Sequence, residues 1–71
     1  MTTYKHIVQV HPVENGEPNL YKVKWEKEFD TKELADWYIK TANDTIKEQG
    51  VEIQAVYVGR VNLATGELEW N

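Results

Sequence analysis

The stretch Phe29-Asp30-Thr31-Lys32-Glu33-Leu34, closed by Gln49-Gly50, sets one helix from about Thr31 to Gln49 between two strand-rich segments. Three signals agree on it. Asp30 as N-cap accepts from the backbone N–H of Glu33, while the Glu33 carboxylate reaches back to the N–H of Asp30 as a capping box. Phe29 and Leu34 take the two positions of a hydrophobic staple. Gly50 suits the left-handed position that closes a helix. Asp30 and Glu33 are therefore read as capping chemistry and not as an acid/base pair.

Working outward, Tyr4 to Val13 has a strand-like pattern. Leu20 to Lys27 alternates, with Tyr21, Val23 and Trp25 on one side and Lys22, Lys24 and Glu26 on the other. Asn15-Gly16 between them is the preferred pair for a type I′ hairpin turn, since both residues tolerate positive φ. With those two at the tip, Val10 falls opposite Tyr21, Val8 opposite Val23, His6 opposite Trp25 and Lys5 opposite Glu26. Pro12 and Pro18 weaken the ladder near the tip. Beyond the helix a strand is expected over Gln54 to Val61 and a short one over Glu67 to Trp70, joined at Ala64-Thr65-Gly66 with Gly66 in a bulge. That bulge leaves the facing of Leu68 and Trp70 open by one residue. The order ββαββ predicts an α+β fold: a four-stranded antiparallel sheet in the order 2-1-3-4, with one helix across one face.

Seventy-one residues make one small domain, 1–71, of a size that buries only about 60% of its unfolded surface. Without cysteine it has neither disulfide nor thiolate-bound zinc as a staple. Three Trp, four Tyr and one Phe must then carry much of the buried area. The lack of an apolar run of spanning length or a signal-type start predicts a soluble, cytoplasmic chain with no membrane partner. A formal charge of −4 opposes nonspecific binding to a phosphate backbone.

No nucleophile with a base, no paired carboxylates and no phosphate-cradling glycine loop is visible, so catalysis and cofactors are not expected. His6 and His11 lie an odd number of residues apart on one strand, point to opposite faces and cannot share a metal. His6 reads instead as a histidine packed beside Trp25. The glycines read as isolated turn residues.

Two surfaces remain. On a helical wheel Leu34, Thr45, Tyr38, Ala42, Ala35, Ile46 and Ile39 form one arc, the core stripe. Trp37 lies outside it beside Glu33, Thr41, Asp44 and Glu48. It either folds over the helix edge to extend a small core or anchors a partner with a basic surface. The second surface is the sheet face away from the helix. The third strand is apolar on both sides, with Ile53, Ala55, Tyr57 and Val61 on one and Val56 and Val58 on the other. Something should cover the second side: another copy packed sheet to sheet as a dimer, another protein, or the stems of Lys22, Lys24 and Arg60.

The reading that follows is a non-enzymatic, self-associating interaction module, for instance a phage or mobile-element accessory protein. As an inhibitor it would occlude a basic site on a host or defence enzyme through Trp37, Glu33, Thr41, Asp44 and Glu48. One alternative is a nucleic-acid binder using Lys22, Lys24 and Arg60 on the outward sheet face, with Lys5 and Tyr57 nearby. The run Tyr21 to Trp37 resembles, over about a quarter of the chain and in pattern only, the sheet-and-helix DNA-binding domains at the front of phage-type integrases. Those domains are basic, whereas this chain is acidic and interrupts its lysines with Glu26 and Glu28. The other alternative is a purely structural assembly subunit.

Overall fold

A computed structural model describes residues 3–70. The elements in chain order are β1 (Tyr4–Glu14), β2 (Glu17–Pro18), β3 (Trp25–Phe29), α1 (Lys32–Gln49), β4 (Ile53–Asn62) and β5 (Leu68–Trp70). They form one curled antiparallel sheet with α1 packed against one face. β1 is central: β4 lies along one edge, and β2 and β3 along the other, while β5 extends the sheet beyond β4. The α+β architecture is as expected, but the expected second strand is two strands.

That break has a local cause. Asn15 and Gly16 turn at φ 58° and 81°, as a type I′ turn requires, and pair Glu14 with Glu17 and Val13 with Pro18. The next ladder position falls on Pro12, whose carbonyl accepts from the Asn19 N–H but which has no N–H to return. The second strand leaves the ladder there and rejoins when the Lys24 N–H reaches the Val10 carbonyl. Val10 therefore faces Trp25 and not Tyr21, Val8 faces Lys27, and His6 faces Phe29. The four residues Leu20–Val23 are extruded. Because four is an even number, Trp25 keeps the facing expected of it, on the helix side with Val10.

A second irregularity lies in β4. Ile7 pairs with Gly59 but Val8 with Tyr57, so Val58 is an extra residue and the facing of β4 reverses across it. Ile53, Ala55 and Tyr57 face the helix as expected. Val61, expected with them, pairs with Lys5 and Leu68 on the far side. Arg60, expected on the outward face, instead lies opposite His6 with its guanidinium 3.9 Å from the Tyr4 ring centroid. Gly59 is thus a strand residue at a bulge and not a turn residue.

The helix start also differs from expectation. Thr31 is the N-cap, in extended conformation, and its Oγ1 accepts from the Leu34 N–H at 3.1 Å. Asp30 is drawn away into an ion pair with Lys5 across the sheet edge, so neither the Asp30–Glu33 capping box nor the Phe29–Leu34 staple forms. Phe29 packs on Tyr38, ring centroids 5.2 Å apart, and Leu34 is 49% exposed. At the other end Gly50, at φ 68°, donates to the Ile46 and Lys47 carbonyls, the left-handed closure expected of it.

The core is narrow. Val8, Val10, Ala35 and Ala55 are its buried members, with Phe29, Tyr38, Ile39, Ala42, Ile53 and Tyr57 packed around them. Ala35 and Ala42 let the helix approach the sheet closely. Asn43, on the helix flank, accepts from the Ala55 N–H at 2.8 Å and donates to the Ala55 carbonyl at 3.2 Å. It thereby satisfies the outer edge of β4 where β5 does not reach.

Candidate protein-binding surface

Where the second strand leaves the sheet, the helix side loses its cover beyond Trp25. The result is a groove of about 470 Å³ between α1 and the sheet, lined by Trp25, Trp37, Tyr38, Thr41, Ile46 and Ile53 among others. Its walls are almost wholly apolar. Trp25 is fixed by its indole N–H, which donates to the Tyr38 hydroxyl at 3.2 Å. Tyr38 is held in turn by Phe29 and by the Lys27 ammonium 5.8 Å from its ring centroid. Trp37 remains 63% exposed and Trp25 44%.

The residues expected to accompany Trp37 divide by position. Thr41 lies on the groove wall. Glu33, Asp44 and Glu48 are exposed on the same helix flank, and among the described residues none of the three forms an ion pair. Thr45, expected in the core stripe, is exposed and also lines the groove. Trp25 is not among the expected partner residues, because the continuous-strand reading places it opposite His6 and packed beside it. Its membership follows only from the register jump.

The lysine and arginine alternative does not form one patch. Lys22 and Lys24 belong to the segment around the extrusion, with Lys22 Nζ 4.0 Å from Glu14. Arg60 faces the other way. Its Nη2 and Nε donate to Glu69 Oε1 at 3.0 and 3.2 Å, and Glu69 is the chief reason its pKa is raised further. Tyr57 also faces the helix side, with its hydroxyl 2.9 Å from His6 Nδ1 and the Lys32 ammonium 4.7 Å from its ring centroid. His6 packs with Tyr57 and not with Trp25. Burial, then the charges of Arg60 and Lys32, lower the His6 pKa. Lys5 sits on the far face but is tied to Asp30, which raises its pKa through the hydrogen bond.

The far face is partly covered by the chain itself. His11, only 2% exposed, donates from Nδ1 to the Lys22 carbonyl at 2.6 Å and so pins the extruded segment over the sheet. Leu68 pairs with Val61 and Trp70 with Gly59, which settles their facing. Among the described residues no helix is long and apolar enough to cross a membrane. Comparison of the chain with protein-family models, with curated proteins and with solved structures finds no match.

Proposed function

We propose that the protein is a non-enzymatic interaction module that binds another protein at the helix-edge groove. The observation that carries this reading is the groove's make-up: two partly exposed indoles over an apolar floor, beside three carboxylates that form no ion pair among the described residues. Aromatic anchors next to an apolar hollow are what binding hot spots are made of. Free carboxylates at the rim steer a basic partner and discriminate against an acidic one. The complementary partner surface therefore carries an apolar projection flanked by Lys or Arg. The nucleic-acid site of a host or defence enzyme is one surface of this kind, and the module would inhibit it by occlusion, as a phage-type accessory protein would.

The test is capture from a host lysate by wild-type protein, identification by mass spectrometry, and titration of the purified partner against variants. Trp37→Ala is expected to weaken binding by about 30-fold, the effect of a hot-spot anchor of about 2 kcal/mol. The double change Asp44→Ala, Glu48→Ala should slow association and flatten its salt dependence. Unchanged affinity in both variants overturns the reading. Retention on DNA that falls steeply with added salt favours the nucleic-acid alternative instead.

A further inference from the structure

The hydrogen-bond alternation of the sheet decides which backbone groups β3 leaves open. Asn43 bonds both the N–H and the C=O of Ala55 from outside the sheet, so Ala55 turns these groups away from β1. Its partner across that ladder, Val10, therefore turns its own groups to the opposite edge, toward Trp25. Val8 and His6 follow in the same phase, so Trp25, Lys27 and Phe29 bond to β1. Glu26 and Glu28 then direct their N–H and C=O groups outward, and among the described residues no strand pairs with that edge. The outer edge of β4 is closed by Asn43 and β5, whereas the five residues of β3 have no such cover. The Glu26 side chain lies on the far face, where Gln9 donates to it at 3.1 Å, and Glu28 shares that face. On the helix side the edge shows Trp25, 44% exposed, and Lys27. We infer that the open edge of β3 is an antiparallel strand-addition site for an extended basic segment of another protein, with Lys or Arg opposite Glu26 and Glu28 and apolar residues between them beside Trp25.

Charge and register select that occupant. Glu26 and Glu28 are exposed, and neither carboxylate forms an ion pair among the described residues. The Gln9 amide that donates to Glu26 is neutral, and Lys5, on the same face, is tied to Asp30. A second copy is the wrong occupant by symmetry. Two β3 edges laid antiparallel about a two-fold set Glu26 against Glu28, or one of them against itself, in every register confined to β3, and like charges directly opposite destabilise a ladder. An acidic segment or a phosphate backbone meets the same two carboxylates. A basic strand turns each of these contacts into an opposite-charge pair, while its main chain fills the groups that the edge leaves open. Charged side chains commonly guard an edge strand against indiscriminate pairing. Here the guard on the far face has one sign only, so it turns away the chain's own copy and admits a basic strand. The edge shares Trp25 with the helix-edge groove but not Trp37, so the inference does not rest on the partner proposed there.

Amide hydrogen exchange followed by NMR tests it. In the free protein Lys27 and Phe29 should be protected by β1, while Glu26 and Glu28 exchange at least about tenfold faster. The probe is a blocked peptide of alternating lysine and valine, about six residues long, set against its glutamate and valine counterpart. At about 1 mM the lysine peptide should slow exchange at Glu26 and Glu28, and the glutamate peptide should bind at least about tenfold more weakly. In an antiparallel ladder the residue opposite an outward Glu exchanges both bonds with it, so methylating the lysine backbone nitrogens should abolish binding and methylating the valine nitrogens should not. The double change Glu26→Lys, Glu28→Lys should invert the preference between the two peptides, and Trp37→Ala should leave it unchanged. Glu26 and Glu28 amides already protected in the free protein overturn the inference, as does a lysine peptide that binds no better than the glutamate one. So does binding that survives methylation of the lysine nitrogens, or binding lost on Trp37→Ala, which would put the peptide in the groove instead.

Discussion

Gly59→Ala should be among the most damaging single-methyl changes in this chain, and its size can be worked from the bulge. A Cβ at this position would overlap the Glu69 carbonyl oxygen and stand 3.0 Å from Trp70 Cα, with backbone on β5 as the obstacle and no flexible side chain to yield. β5 must withdraw by about 1 Å, which carries ladder bonds of ~2.9 Å to or past the ~3.5 Å at which they fail. Overpacking of this kind costs about 1–3 kcal/mol. The backbone at φ 155° adds strain for any residue with a side chain, of order 1 kcal/mol or more. A total of about 2–4 kcal/mol is a large part of the roughly 4–10 kcal/mol that a chain of this length commands. At ~4–8 °C per kcal/mol the melting temperature falls by at least about 8 °C. Calorimetry or circular-dichroism melts measure it, with Gly66→Ala as the control. Gly66 also has positive φ, 79°, but a Cβ there meets nothing within 4 Å, so its cost is conformational alone, about 1–2 kcal/mol. If Gly59→Ala melts within 3 °C of wild type, or no lower than Gly66→Ala, the close approach of β5 over the bulge is wrong.

Thr31→Ala should cost about 1 kcal/mol by removing the helix cap, or ~4–8 °C in melting temperature, and Asp30→Ala clearly less, since it loses only an exposed ion pair. The opposite ranking would restore Asp30 as the cap. His6 titrates below its ordinary 6.5, chiefly through burial and then through Arg60 and Lys32, with Asp36 pulling the other way. The unfolded chain therefore binds the proton more readily, so this contribution to stability is complete above about pH 6.5 and is lost as pH falls through the lower folded value. Melts between about pH 7.5 and 5 should show a steeper loss for wild type than for His6→Asn, and parallel slopes would remove His6 as the cause.

The helix, the Asn15-Gly16 turn and the four strand regions were legible because each is announced by local chemistry: a 3.6-residue apolar period, a pair that tolerates positive φ, a two-residue alternation. What stayed hidden was decided at long range. Asp30 and Thr31 are equally able caps, and the choice falls to Thr31 because Lys5, twenty-five residues away, engages the carboxylate. Pro12 and Pro18 did signal a weakened ladder, but nothing local says that the strand resumes after four residues and not one. Gly59 carries the ordinary sign of a bulge, a glycine inside an apolar strand, which differs from an isolated turn glycine in having β-branched residues close on both sides. Reading the bulge would have moved Val61 and Arg60 to their observed sides. Asn43 gave no sign at all, since a polar residue on a helix flank looks solvated until the unpaired edge of β4 is placed beside it.

One register jump accounts for both the helix-edge groove and the cover on the far face. Val13 pairs with Pro18, and Val10 pairs with Trp25. Two ladder positions, Pro12 and His11, are left for six residues, Asn19 to Lys24, and the surplus is Leu20–Val23. Removed, these four would let Asn19 face Pro12 and Lys24 face His11 with no change of facing for Trp25 or anything after it, because the excess is even. The register has no need of them. Their exit leaves Ile53 without cover on the helix side, at the floor of the groove beneath Trp25 and Trp37. On the far side Leu20 and Val23 wall the hollow over His11, and the His11 bond to the Lys22 carbonyl fixes the segment there. Four residues that the sheet could lose without altering its register thus leave Tyr21 wholly in water, and within the chain their contact is the bond that buries His11.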